Sequence, residues 1–109
     1  MLEKQAISML GALAQETRLK IVRFLVERGG EGASAGEIGA TVEASSSRAS
    51  FHLSALERAG LIESERQSRS IIYRADLAKL GGLVSFVLND CCGSHPDILA
   101  CCRTDSTAC

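Results

Sequence analysis

The chain has 109 residues, 46% hydrophobic, 23% charged and 4% aromatic, with 12 Lys and Arg against 13 Asp and Glu. Such a length makes one domain, and the composition excludes a disordered or collagen-like polymer. A net charge of −1 excludes indiscriminate coating of nucleic acid, so any nucleic-acid binding must be local and shaped.

Ala, Leu and Glu are frequent while β-branched and aromatic residues are sparse, which predicts a mainly helical fold. In chain order, Leu2, Ala6, Met9, Leu10 and Leu13 recur at helical spacing and predict a first helix over residues 3–14. A second helix, over residues 16–28, interleaves Leu19, Ile21, Val22, Phe24, Leu25 and Val26 with charges, too apolar a pattern for the periphery, and Gly29-Gly30 stops it. The stretch from Gly32 to Gly36 matches G-x-S-x-G, yet a nucleophile elbow needs a buried strand and a large sheet that a helical chain of this size lacks. Ser34 and Glu37 instead read as a capping box opening a short helix through about Val42, with Ile38 and Val42 inward.

A further helix starts at Ser45-Ser46-Ser47 and ends at Gly60, with Ala49, Leu53, Leu56 and Ala59 facing the core. Its opposite face is polar, carrying Ser46, Ser47, Ser50, His52, Ser54 and Arg58, with Arg48 near the start. Short hydroxyl side chains allow close approach of a nucleic-acid backbone, and the amides of a helix start can hold phosphate oxygens. Two strands, residues 61–66 and 70–74, then form a hairpin with a cationic tip at Arg66 and Arg69. Those arginines reach phosphates or an adjacent minor groove, or else merely solvate a turn. From Ala44 to Arg74 the five Arg residues outnumber three Glu, a net of +2 that leaves −3 for the remainder. Leu80, Leu83, Val84, Val87, Leu88 and Cys91 form the stripe of a last helix. The order of elements is that of a winged helix-turn-helix domain with outer helices left over for self-association. A chain this short buries roughly 65% of its unfolded surface, which also favours a partner subunit.

The first residues include Glu3, Lys4, Gln5 and Ser8 and lack the apolar core of a secretory leader. No apolar run approaches the roughly 18 residues of a membrane span, so a cytoplasmic protein without a membrane partner is expected. In a reducing compartment its 5 cysteines (Cys91, Cys92, Cys101, Cys102 and Cys109) suit ligation or redox chemistry better than a disulfide framework. The expected division is a DNA-binding and dimerisation domain over residues 1–90 and a cysteine-rich tail over residues 91–109.

Two segments carry a family resemblance: residues 13–22, LAQETRLKIV, and residues 50–62, SFHLSALERAGLI. With the hairpin at residues 65–74, the chain resembles the ArsR/SmtB family of arsenic- and metal-responsive bacterial repressors over nearly its whole length. The resemblance implies a homodimer formed by the first and last helices, bound to double-stranded operator DNA and released by an inducer. A two-fold dimer sets its reading helices about one DNA turn apart, so the operator should be an imperfect inverted repeat. On this mapping Ser46, Ser47, Arg48, Ser50 and His52 face DNA, with Arg66 and Arg69 in the wing. Arg48 suits a bidentate contact with guanine. His52 fits a base contact, a phosphate contact or packing on the helix surface.

Members that sense arsenite beside the recognition helix carry a C-x-C motif there, and residues 34–42 contain no cysteine. Other relatives place a cysteine pair after the last helix, and Cys91-Cys92 looks like that pair. Trivalent arsenic, or antimony, takes three soft thiolates in a pyramid, so Cys91 and Cys92 with Cys101 or Cys102 would form the inducer site. Gly93 and Pro96 permit the chain to fold back toward the pair, and Cys109 is read as a bystander. The alternatives are zinc, cadmium or lead held by these thiolates with His95, or a thiol redox switch. No organic cofactor is expected. An enzyme is not expected either, since there is no H-E-x-x-H, no phosphate loop and no His–carboxylate pair on a plausible pocket.

Overall fold

Every α-helix after the first begins where a side chain accepts from one of its free amides. The Gln15 side chain accepts from Arg18 N at 2.8 Å, Ser34 Oγ from Glu37 N at 3.2 Å, Ser45 Oγ from Arg48 N at 3.3 Å, and Asp76 Oδ1 from Lys79 N at 3.1 Å. These caps set the elements of a computed structural model that describes residues 1–102. In order they are α1 (Glu3–Leu13), α2 (Glu16–Arg28), β1 (Ala33–Ser34), α3 (Ala35–Val42) and α4 (Ser46–Ala59). Then come β2 (Ile62–Gln67), β3 (Ser70–Ala75), α5 (Leu77–Ser85) and α6 (Pro96–Cys101). A 3₁₀ turn, Gly29–Glu31, follows α2, and a π-helical turn, Phe86–Cys91, follows α5.

The core lies between α1, α2, α3 and α4 and the base of the hairpin. Met9, Ile21, Leu25, Ile38, Leu53, Leu56 and Leu61 are fully buried within it. The capping box expected at Ser34 is present: Ser34 N also donates to Glu37 Oε1 at 3.1 Å. At the other end of α3, Glu43 takes the left-handed conformation, φ 56°, and lets the chain turn directly into α4. Gly39 makes the crossing of α3 and α4 close, since a Cβ there would sit 3.2 Å from the Ala44 carbonyl oxygen and 3.6 Å from Ala49 Cβ.

The hairpin pairs β2 with β3 from Ile62 opposite Ala75 to Gln67 opposite Ser70, so its turn is Ser68-Arg69. A third strand joins it: β1 pairs antiparallel with β3, Ala33 opposite Tyr73, in the order β1-β3-β2. Arg74 fastens this sheet to the end of α2, its Nε donating to the Gly30 carbonyl at 2.7 Å and its Nη1 lying 3.0 Å from Glu65 Oε1.

The outer helices are less covered. α1 buries Ala6, Met9 and Ala12 but exposes Ile7 and Leu10, and α5 buries Leu83 while leaving Leu77 and Val84 exposed. Val84, expected on the packed stripe of the last helix, is therefore turned outward. That helix also changes winding: α5 ends at Ser85, the π turn carries the chain to Cys91, and a separate helix, α6, follows where a simple fold-back was expected. Pro96 at its first position, with the His95 ring accepting from Asp97 N at 3.1 Å, is what starts it. The Cα radius of gyration is 15.3 Å, above the roughly 13 Å of a compact chain this long.

Candidate nucleic-acid interface and thiol cluster

The outward face of α4 is built from the bottom by its inward face. Ala49, Leu53 and Leu56 are buried at helical spacing and hold the helix against the core, which leaves Ser46, Ser47, Arg48, Ser50 and Ser54 exposed. Ser45 caps the first turn through Arg48 N and lies 3.4 Å from Ser47 Oγ, so the hydroxyl-rich start is ordered locally. Arg66 and Arg69 are exposed at the end of the hairpin. Among the described residues Arg48, Arg66 and Arg69 have no carboxylate partner, whereas Arg28 and Arg74 are ion-paired inside the fold. The three arginines singled out from the sequence are thus among the exposed cations of the described residues that no carboxylate holds, with Lys4, Arg23, Arg58 and Lys79.

His52 departs from expectation. It is 6% exposed and packed inward, with a buried Nδ1 that has no hydrogen-bond partner, so it is withdrawn from the outward face. Its position explains this: three residues after Ala49 and four before Leu56, it shares their stripe. Burial and the nearby Arg18 and Arg48 charges push its pKa below the usual histidine value, keeping the ring neutral at pH 7. Its neighbour Phe51 does the reverse. That phenyl ring is 63% exposed on the outward face and meets His52 edge-on, with centroids 5.4 Å apart.

At the far end of the chain, Cys91 closes the π turn and Cys92 follows it, its amide donating to the Val87 carbonyl at 3.1 Å. Their side chains interact: the hydrogen bond with Cys91 is the main cause that raises the Cys92 thiol pKa, followed by burial and the Cys91 charge. Two adjacent sulfurs therefore share one place and resist carrying two negative charges there. Cys91, Cys92 and Cys102 are free thiols, while Cys101 is disulfide-bonded. The expected gathering of Cys101 or Cys102 onto the pair is not seen. Among the described residues no three His, Cys, Asp or Glu side chains stand close enough to hold a metal ion. Between the pair and Cys101 the chain forms the six-residue helix α6. Cys109 lies outside the described residues.

A helix-turn-helix domain model matches residues 13–65, the span from the end of α1 to the first half of the hairpin. The HTH-type transcriptional regulator YgaV of Escherichia coli (strain K12) is 32% identical over 89 residues, covering 82% of this chain and 88% of that one. An ArsR-like transcriptional regulator from Rhodococcus sp. RHA1 superposes with a TM-score of 0.72 at 27% identity, over 95% of both chains. The chain belongs to the ArsR family of winged helix-turn-helix transcriptional regulators. A homodimeric winged helix-turn-helix DNA-binding domain from Mycobacterium bovis is also similar, with a TM-score of 0.63 and 29% identity over 84% of this chain and 85% of that one.

In this ArsR-family regulator, then, α3 and α4 are the helix-turn-helix and β2–β3 the wing. The fold is that of transcriptional regulators, not enzymes, and Ser34 in the G-x-S-x-G stretch is committed to its cap. Among the described residues no helix is long and apolar enough to cross a membrane. Phe51 is the exposed residue of α4 that sequence reasoning passed over. An aromatic side chain among serines was the available signal.

Proposed function

We propose that this ArsR-family regulator is a dimeric repressor that leaves its operator when trivalent arsenic or antimony binds thiolates at its C-terminal end. The exposed apolar residues Ile7 and Leu10 on α1, and Leu77 and Val84 on α5, support pairing of two copies through the first and last helices. Such a dimer presents two α4 helices to an imperfect inverted repeat. Ser46, Ser47 and Ser50 then approach the backbone, Arg48 pairs with a guanine, and Arg66 and Arg69 of the wing hold phosphates.

The observation that carries the inducer reading is the pair of adjacent free thiols, Cys91 and Cys92, at the end of the π turn. Two thiols that repel each other as thiolates gain when a soft cation neutralises both, and the donor set fits arsenic better than a hard metal. A third thiolate comes from the Cys101–Cys102 end of α6, of which Cys102 is free in this structure. Bringing it to the pair requires α6 to move. That movement transmits the signal through α5 to the dimer seam and the spacing of the two reading helices. A coupling of about 1–3 kcal/mol is typical of linked sites.

The test is a gel shift on the promoter of its own gene with arsenite, antimonite, zinc and cadmium. Cys91→Ser together with Cys92→Ser keeps operator binding and abolishes release by arsenite. Release that persists in the double variant overturns the site, and release by zinc or cadmium alone assigns the same thiols to a transition metal. The disulfide at Cys101 supports a second reading, a thiol redox switch. It requires that an oxidant release the wild-type protein from DNA without any metal.

A further inference from the structure

The ring of Phe51 needs a purpose. The core it flanks is complete without it, because Ala49, Leu53 and Leu56 fill the inward side of α4 and Phe51 is absent from the hydrophobic cluster. Its one ring contact is the edge of His52, and 63% of its surface faces outward. An exposed phenyl gains nothing for the isolated fold. At 100° per residue, Ser47, Ser50, Phe51 and Ser54 span an arc of about 100° on the helix, one face with a single apolar group rising above short hydroxyls. The other exposed large apolar side chains of the helices, Ile7 and Leu10 on α1, Leu19 and Val26 on α2, Leu77 and Val84 on α5, and Ile98 and Leu99 on α6, lie off this helix, so Phe51 is the one that α4 presents.

We propose that Phe51 is a specificity-determining residue that packs against the 5-methyl group of a thymine in the major groove. This rests on the reading of α4 as the DNA-contacting helix. Thymine is the one base whose major-groove edge carries an apolar group, and a phenyl ring is among the side chains that can meet it. The three serines contribute little reach, so on this face the phenyl is the side chain that extends furthest toward a base edge. Arg48 and Phe51 are then complementary, one selecting guanine by hydrogen bonds and the other selecting thymine by contact. A polar residue at position 51 would leave the second selection unmade.

The experiment is a binding-site selection from a random duplex library of about 30 base pairs, run with the wild-type protein and with Phe51→Ala. The enriched duplexes are then resynthesised with deoxyuridine in place of each thymidine, which removes only the methyl group. Wild-type protein enriches a thymine at one position of each half-site, and deoxyuridine there weakens binding about fourfold, the effect of exposing one methyl group. Phe51→Ala keeps its thermal midpoint within about 2 °C, loses the thymine preference and no longer responds to deoxyuridine. Phe51→Leu, which keeps an apolar side chain, retains part of the response.

Wild-type protein that binds its enriched duplex with no sensitivity to deoxyuridine at any position overturns the inference and leaves α4 as a DNA reader. So does a sensitivity that survives in Phe51→Ala. Failure of the wild-type protein to enrich any sequence overturns the reading of α4 itself.

Discussion

Gly32 and Gly93 adopt nearly the same positive φ, 64° and 60°, in surroundings that differ completely. A Cβ on Gly32 would lie 2.5 Å from the Tyr73 carbonyl oxygen and 2.8 Å from Ile72 Cγ2, whereas a Cβ on Gly93 would meet nothing within 4 Å. The first glycine sits where β1 enters the sheet, and its conformation is demanded by strands and side chains from elsewhere in the chain. The second sits between the cysteine pair and α6, where only the local turn sets the backbone. The same contrast holds for burial. Ala33, Ile38, Ala49, Leu53, Leu56, Leu61 and Ile62 are all buried around the helix-turn-helix, while the π turn and α6 contain no buried residue. The DNA-reading half is thus held from many directions, and the thiol-bearing end is held from few. The proposed function as a sensor calls for that inequality, since a ligand can rearrange only what packing has not already fixed.

Substitution of the two glycines breaks or confirms the comparison most directly. Gly32→Ala forces both an unfavourable φ and a backbone collision, and should destabilise the protein by about 3 kcal/mol or more. Gly93→Ala incurs only the unfavourable φ, about 1 kcal/mol. Urea denaturation of both variants measures the difference, and equal losses would remove the distinction drawn here.

A smaller effect separates function from stability within the reading half. Arg48→Ala removes an exposed, unpaired guanidinium, so the thermal midpoint should stay put while operator affinity falls by about 1–3 kcal/mol. Arg69→Ala in the wing should weaken binding to all sequences alike and lower the salt-dependence slope by about 1. Fluorescence anisotropy over a salt series reads both. A sequence-dependent loss at Arg69 would move base recognition into the wing.

How much of this was legible in the residues depended on whether pattern and residue type agreed. They agree in α2, in the Ser34–Glu37 capping box and in the stop at Gly60, and there the expected elements are present. They disagree at His52 and Phe51. The helical period placed His52 with Ala49, Leu53 and Leu56, and the polar ring drew the reading outward; Phe51 is the mirror case. β1 was not legible because two residues carry no alternation, and its partner β3 lies far along the chain. Helix α6 had local signals in Pro96 and Asp97, but six residues are too few for a periodic stripe. Capture of a third thiol cannot be read from spacing at all, since it depends on how α6 is placed.

The smallest predicted effect tests the burial of His52 through pH. Its ring is packed inward beside Arg18 and Arg48 with Nδ1 unpartnered, and its pKa is lowered from the ordinary 6.5 by burial first and by those two charges second. The folded protein therefore binds this proton less readily than the unfolded chain does. Above about pH 7.5 both states are neutral at this site and it contributes no slope. As the pH falls through 6.5 the unfolded chain takes up the proton first, so stability declines until the folded histidine also titrates. Glu37 and Glu65, held below their ordinary 4.5 by hydrogen bonds and by arginine partners, lose their contributions in a lower range, as the pH falls through their depressed values. Between pH 7.5 and 5.5 it is the difference between the wild-type profile and that of a His52 variant that isolates this site. The urea midpoint of the wild-type protein should fall across that window, and His52→Gln, which cannot be protonated, should show a flatter profile. An identical slope in the two proteins would mean that the ring is solvated after all, and would return His52 to the outward face with Ser50 and Phe51.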